Sequence, residues 1–184
     1  MIGLLKGEVA TRRSDHVVLL CGGVGYRAAV SAETLRHVPA VGQETILHTH
    51  LVVRDDALAL YGFHCEEERD LFLMLLSVQA IGPKVALAIL SMGPVRELVG
   101  AIAAGDVRRF QAAPGVGKRT AERLIVELRE KVASEGADGV IAPAGGPAVG
   151  QPGDPRMLAR EGLLELGYSA AEASRSSTSA SAAL

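Results

Sequence analysis

The stretch PGVGKRTAERLI, residues 114–125, combines two features that together hold phosphate groups. Glycines let a chain reverse direction within a few residues, and the helix that follows begins with N–H groups that lack intrahelical partners. Those N–H groups and the positive end of the helix dipole attract anions. The stretch therefore predicts a nucleotide-phosphate loop, a contact to a nucleic-acid backbone, or a plain connection between two helices.

Two apparent nucleotide-binding motifs fail on their context. A nucleotide-phosphate loop needs a glycine, four residues, and then Gly-Lys before Ser or Thr. Here Ala112 stands in place of that first glycine, and Arg119 in place of the hydroxyl residue. A second segment, GVGYRA at 23–28, fits a dinucleotide fingerprint but is not followed by a long amphipathic helix, so we interpret it as a β-turn between strands. We therefore expect no nucleotide cofactor.

An internal repeat separates the remaining alternatives. Shifted by 35 residues, AIGPKVALAIL (80–90) lies over GVGKRTAERLI (115–125), so that Gly82 matches Gly117 and Lys84 matches Arg119. A plain connector explains one such turn more easily than two matched copies, each beside basic residues. The spacing indicates two helix–hairpin–helix units that contact duplex phosphates without reading base sequence. Four basic residues lie beside the two turns: Lys84, Lys118, Arg119 and Arg123.

Acidic and histidine residues supply the other candidate chemistry. Asp55 and Asp56 fall in a predicted tight turn within VVRDDALALYGF, residues 52–63. Three uses stay open for this turn: a solvated hairpin, a Mg²⁺ site, or a negative charge that repels phosphates and separates strands. No further acid completes a metal site there. His48 and His50 share one strand face without an evident third ligand, so we expect no metal and no catalytic residue.

The elements that position these residues change along the chain. Residues 1–63 predict a small antiparallel β-barrel, for which a five-stranded Greek-key barrel is one solution, and residues 64–133 predict an all-α domain with five helices between 66 and 133. A helical turn capped by Ser31 interrupts the strands. Residues 134–153 predict a flexible linker, and residues 154–184 a small helical domain with a helix starting at Ser169 and a disordered tail. The predicted strands span 2–9, 16–21, 24–30, 45–53 and 58–63.

Composition bounds the class of protein. The 184 residues carry a formal net charge of −2, which excludes a uniformly basic nucleic-acid binder and requires local placement of positive charge. Two cysteines, Cys21 and Cys65, are too few for a disulfide framework. No signal peptide or membrane-spanning stretch is evident, so we expect a cytoplasmic protein without a membrane partner.

Five segments, in this order and spacing, resemble the RuvA family of Holliday junction branch-migration proteins. They are MIGLLKGEV, GGVGYRA, VVRDDALALYGF, IGPKVALAIL and PGVGKRTAERLIVELREKV, within residues 1–133. LLELGYSAAEAS resembles the start of the family's C-terminal domain. The resemblance implies that the five-stranded barrel is of the oligonucleotide-binding (OB) type. It also implies a non-catalytic subunit that holds four-way junction DNA open as a homotetramer, or as a doubled octamer. It also implies a hexameric RuvB-type ATPase motor as partner, with a RuvC-type resolvase as a further one.

The resemblance also implies site residues. Asp55 and Asp56 become an acidic pin at the junction centre. The residues implied to contact the ATPase motor are Leu163, Leu164, Leu166 and Tyr168. The residues implied to contact DNA are Gly82, Pro83, Lys84, Gly115, Gly117, Lys118, Arg119 and Arg123. The family's first hairpin usually has glycine where Ala80 stands, so Ala80 needs either a negative φ or strain of about 1 kcal/mol.

Two rival functions use the same motifs. A helix–hairpin–helix repair enzyme, either a glycosylase or a structure-specific nuclease, needs a catalytic acid after the second hairpin's helix. Asp138 has the spacing but lies in the Gly-rich linker, a poor place to hold a base. A helical protein–protein adaptor is the other rival, and it predicts no affinity for DNA.

Overall fold

The computed structural model describes residues 2–53 and 58–135, which belong to one compact unit. The first part contains five strands and one short helix, α1 (Ala32–His37). The strands are β1 (Leu4–Arg12), β2 (His16–Cys21), β3 (Val24–Val30), β4 (Glu44–Val53) and β5 (Leu58–Phe63). The second part contains α2 (Glu66–Ser77), α3 (Pro83–Leu90), α4 (Val95–Ala104), α5 (Val107–Gln111) and α6 (Lys118–Glu135). The predicted barrel and the five predicted helices are confirmed.

The five strands close into a barrel in the order β1-β2-β3-β5-β4, with β3 and β5 parallel and all other pairs antiparallel. Alternate side chains of β1 point inward, so Leu5 and Val9 are buried with Leu19 and Leu47 from neighbouring strands. The barrel is tight: a Cβ at Gly7 would lie 2.4 Å from the carbonyl oxygen of Leu20. Glycine is therefore required there for the backbones to approach.

The strand limits differ from prediction mainly in β1. A register shift between Val9 and Thr11 lets β1 continue pairing with β2 as far as Arg12, three residues beyond the predicted end at Val9. A bulge of this kind adds one residue and bends the strand, which helps a small barrel to close. A run of apolar residues does not reveal it, because Thr11 and Arg12, which follow the bulge, are polar.

Helix α1 confirms the predicted capped turn. The Ser31 hydroxyl accepts a hydrogen bond from the Thr34 amide at 2.9 Å, as an N-cap residue does. The side chain of Glu33 is buried, and its carboxylate pairs with Arg36 at 2.6 Å. The turn thus ends β3 and carries polar groups toward the helical part of the chain.

The helices bury their apolar faces in one core, which is separate from the apolar cluster inside the barrel. Phe63, at the end of β5, is fully buried in this helical core. On α2, the ring of Phe72 packs against those of Tyr61 and Phe63, with centroids 5.2 and 4.9 Å away, and meets the edge of His50 at 6.0 Å. Only residues 64 and 65 separate β5 from α2, so barrel and helices meet directly.

Among the described residues, no helix on its own has the length and apolar character to cross a membrane. Helices α3 and α4 reach that length and apolar character only when they are taken together, and their axes are bent by 100° relative to each other.

Several predictions lie outside the described residues. These are the domain limits beyond Glu135, the part of the predicted linker (134–153) that follows Glu135, and the predicted C-terminal helices, including the one expected to start at Ser169. The acidic pair Asp55 and Asp56 and the motor-contact residues Leu163, Leu164, Leu166 and Tyr168 also lie outside.

Candidate nucleic-acid interface

The two predicted hairpins have the same backbone hydrogen bonds. The first joins α2 to α3 through residues 78–82, and the second joins α5 to α6 through residues 112–117. In the first, the amides of Val78, Ile81 and Ala86 donate to the carbonyls of Leu75, Val78 and Gly82 at 3.1, 3.1 and 2.9 Å. In the second, the amides of Ala113, Val116 and Ala121 donate to Phe110, Ala113 and Gly117 at 3.1, 3.1 and 2.9 Å. The sequence repeat is therefore a structural repeat.

One apolar side chain anchors each hairpin to the core. Ile81 and Val116 occupy equivalent positions and are 5% and 7% exposed. Burial of an aliphatic side chain of this size contributes about 1.5–3 kcal/mol. The next residue in each hairpin, Gly82 or Gly117, is exposed. Sequence analysis did not single out Ile81 and Val116, although an apolar residue at both repeat positions was the available signal.

The hairpins leave helix starts uncovered. A Cβ built on Gly82 or Gly117 has no other heavy atom within 4 Å, so open space faces both glycines. Gly82 cannot cap α3 with a side chain, and the first intrahelical bonds of α3 and α6 are made by Ala86 and Ala121. The preceding amides therefore lack intrahelical acceptors, which is the geometry that binds an anion.

Four basic side chains surround these helix starts, and all are exposed: Lys84, Lys118, Arg119 and Arg123. Lys118 lies 4.0 Å from Glu122, a distance at which an exposed pair contributes little. Arg123 is 3.7 Å from Glu127. Within residues 2–53 and 58–135, Lys84 and Arg119 have no carboxylate in ion-pair range, so their charge is available to a phosphate.

The two hairpins lie side by side. Arg123, on α6, donates a hydrogen bond of 2.5 Å to the side-chain oxygen of Gln79 in the first hairpin. A Cβ at Gly115 would lie 3.2 Å from Cγ2 of Val85 on α3. These two contacts show that the hairpins are neighbours in the structure. Every residue predicted to contact DNA is exposed except Pro83, which is partly buried.

Ala80 adopts the strained alternative. Its φ is +72°, and the equivalent residue of the second hairpin, Gly115, has φ +88°. Both hairpins thus need a left-handed residue at the same position. A residue with a Cβ adopts this conformation at a cost of about 1–2 kcal/mol. Ala80 is exposed, so the strain comes from its own backbone and not from a clash with the core.

The other sequence candidates have structural explanations. Gly22 and Gly23, at the start of the segment resembling a dinucleotide fingerprint, have φ of +57° and +85° and make the turn between β2 and β3. This geometry suits a two-residue hairpin and confirms the β-turn. His48 lies 3.7 Å from Glu66, and the ring of His50 packs edge-to-face with that of Phe72.

A group of three possible metal ligands was not predicted. His64, Cys65 and Glu68 bring their ligand atoms within 4.8 Å of one another. Glu68, however, already accepts hydrogen bonds from Ser31, Thr34 and His64. Burial raises the pKa of the Cys65 thiol to about 12, which disfavours the thiolate that a metal would require. The group fits a hydrogen-bonded carboxylate better than an open ligand set.

Comparison with known proteins agrees with this geometry. Residues 1–62 match the model of the RuvA N-terminal domain, and residues 72–130 match that of the SAM-like helix-hairpin-helix tandem. A protein of Rubrobacter xylanophilus is 48% identical over 176 residues, which cover 95% of this chain and 87% of that protein. Proteins of Halorhodospira halophila and Symbiobacterium thermophilum are 42% and 45% identical, covering 95% and 94% of this chain and 86% and 85% of theirs. All three are named Holliday junction branch migration complex subunit RuvA.

The chain belongs to the RuvA family. The two matches follow the architecture: the first covers nearly the whole barrel, and the second begins at Phe72 in α2 and includes both hairpins. The relatives span barrel and hairpins together, which favours a branch-migration subunit over a helix–hairpin–helix repair enzyme. Asp138, the candidate acid of such an enzyme, lies outside the described residues.

Replacing Ala80 with glycine is expected to stabilise the protein by about 0.5–1 kcal/mol. Glycine removes the cost of the left-handed conformation, while its more flexible unfolded chain offsets part of the gain. Urea denaturation measures the difference in the free energy of unfolding, provided that the two proteins have the same dependence of that free energy on urea concentration (the m value). The matched control, Gly115→Ala, is expected to destabilise the protein because it adds the same strain and brings a methyl group 3.2 Å from Val85. No gain in Ala80→Gly would contradict this account.

Proposed function

We propose that this chain binds four-way junction DNA by its shape and serves as the DNA-binding subunit of a branch-migration complex. The observation that carries the proposal is the pair of adjacent hairpins with uncovered helix starts and exposed basic side chains. The names of the relatives, which describe Holliday junction branch migration, support the same function. The chain itself carries out no reaction in this proposal, since the motor hydrolyses ATP.

Binding by the hairpins depends on local charge. Residues 64–135 carry ten basic and ten acidic side chains, so the helical part as a whole attracts no polyanion. The amides at the starts of α3 and α6, with Lys84, Lys118 and Arg119, create a positive region at the hairpins. Contacts of this kind hold the sugar-phosphate backbone and are indifferent to base sequence. Two adjacent hairpins can hold the two strands of one duplex arm.

The acidic pair Asp55 and Asp56 supplies discrimination in this proposal. The residues on either side, Val53 and Leu58, pair with each other as the last rung of β4 and β5. Two carboxylates between these strand ends repel phosphates, so they disfavour a continuous duplex and favour a point where strands separate. We propose that they form the pin at the junction centre.

The assembly follows from the shape of the substrate. A junction has four arms, and four copies of one chain give each arm an identical pair of hairpins around a central group of pins. We propose a homotetramer, with two tetramers enclosing the junction in an octamer as the alternative. The partners are a hexameric RuvB-type ATPase, reached through Leu163, Leu164, Leu166 and Tyr168, and a RuvC-type resolvase. Chromosomal DNA as the substrate implies a cytoplasmic location.

Reversing one charge at the second hairpin tests the phosphate contact. Arg119→Glu is expected to weaken junction binding at least tenfold at low salt and to reduce the salt slope by about one phosphate contact. Gel-shift titration at several salt concentrations measures both. Arg129→Glu makes the same charge change about 15 Å further along α6 and serves as control, with little expected effect. Equal effects from the two variants would show that the hairpin has no special role.

Neutralising the pin tests discrimination. The double substitution Asp55→Asn and Asp56→Asn is expected to increase affinity for plain duplex while junction affinity changes little, because only the repulsion of phosphates is removed. Competition between a synthetic four-way junction and a duplex of equal length measures the ratio. A proportional loss of affinity for both substrates would argue that the pair supports folding and not selection.

Removing residues 136–184 tests the motor contact. The shortened chain keeps α6 intact and is expected to bind junctions as the full chain does, yet to lose any stimulation of a RuvB-type ATPase on junction DNA. ATP hydrolysis and strand separation are the two measurements. Undiminished stimulation would place the motor contact within residues 1–135.

A further inference from the structure

A buried carboxylate lies where the barrel meets the helices. Glu68, in the first turn of α2, has no solvent exposure. Its oxygens accept hydrogen bonds from the Ser31 hydroxyl, from the Thr34 hydroxyl at 2.5 Å and from Nδ1 of His64 at 2.7 Å. Two of these donors belong to the α1 turn of the barrel. Glu68 therefore joins the helical part to the barrel through directional bonds.

Further contacts extend this joint around α1. The Ala32 amide donates to the Ser91 hydroxyl at 2.9 Å, which ties the start of α1 to the end of α3. The His64 amide donates to the Thr34 hydroxyl at 3.2 Å. His37, at the end of α1, stacks on His64 with ring centroids 3.9 Å apart. The short helix is thus held by α2, by α3 and by the segment between β5 and α2.

The joint and the aromatic contacts hold α2 at separate points. The joint binds its first turn, whereas Phe72 packs on His50 of β4 and on Tyr61 and Phe63 of β5. Strands β4 and β5 flank Asp55 and Asp56, and α2 leads directly into the first hairpin. A single helix therefore connects the strands that carry the acidic pair to the hairpin that contacts phosphate.

We propose that Glu68 is a positioning residue for junction recognition, which sets the offset between the acidic pair and the hairpins. This inference rests on the proposed function, because a fixed offset matters only if both features meet one DNA molecule. Apolar contacts alone tolerate sliding and rotation, whereas a fully satisfied buried network specifies one arrangement. Loss of the carboxylate leaves two buried hydroxyl donors, of Ser31 and Thr34, and the partly buried His64 without their acceptor, so the interface rearranges to satisfy them.

The test compares Glu68→Ala with Glu67→Ala, which removes an exposed carboxylate from the same helical turn. Affinities for a four-way junction and for a duplex of equal length are measured for each full-length variant. We expect Glu68→Ala to lower the preference for the junction roughly tenfold with duplex affinity nearly unchanged. Glu67→Ala is expected to keep the wild-type preference. Circular dichroism and light scattering establish that fold and assembly are the same in the variants compared.

Two further variants keep the inference open to refutation. Glu68→Gln retains a side-chain acceptor and is expected to restore most of the preference. Thr34→Val removes one hydrogen-bond donor to Glu68 with little change of side-chain shape. This variant is used for the same affinity comparison if Glu68→Ala does not fold. A folded Glu68→Ala or Thr34→Val variant with the wild-type preference would overturn the positioning role. Absence of any preference in the wild-type chain would instead overturn the proposed function.

Discussion

Each hairpin exposes the start of a helix because the residue two positions before that start is anchored in the core. Ile81 and Val116 are buried, so Gly82 and Gly117 face open space and the amides that follow have no intrahelical acceptor. This constraint accounts for the left-handed residue in each turn, since the chain must reverse within a few positions. In the proposed function, it also explains how a nearly neutral chain can bind phosphate, because helix ends and a few neighbouring cations, and not the net charge, would supply the attraction.

The barrel and the helices share one structural element. Helix α2 contacts β4 and β5 through Phe72, and its first turn is joined to α1 through Glu68. Apolar burial supplies most of the stability of such an interface, whereas directional hydrogen bonds select its geometry. A structure-specific DNA-binding protein has a particular need for the second property, because the shape of a junction is recognised by the distance between contacts and not by base edges.

Much of this architecture could be predicted from local patterns. Apolar runs separated by turn residues predicted five strands, and the helical period between 66 and 133 predicted five helices, with limits close to those observed. The repeat of Gly82 and Gly117 predicted both hairpins. The bulge in β1 was missed because residues near Val9 give no apolar signal for it. The conformation of Ala80 stayed open because a single residue type is compatible with either sign of φ, and only closure of the hairpin decides between them.

The sequence by itself therefore determined the elements, their order and the two helix–hairpin–helix motifs, because each depends on residues close together in the chain. Only the tertiary structure decided which distant residues meet. Gln79 pairs with Arg123, and Ser31 and Thr34 meet Glu68, across 44, 37 and 34 positions. No periodicity or spacing encodes such pairs, because they depend on how the helices pack against the barrel.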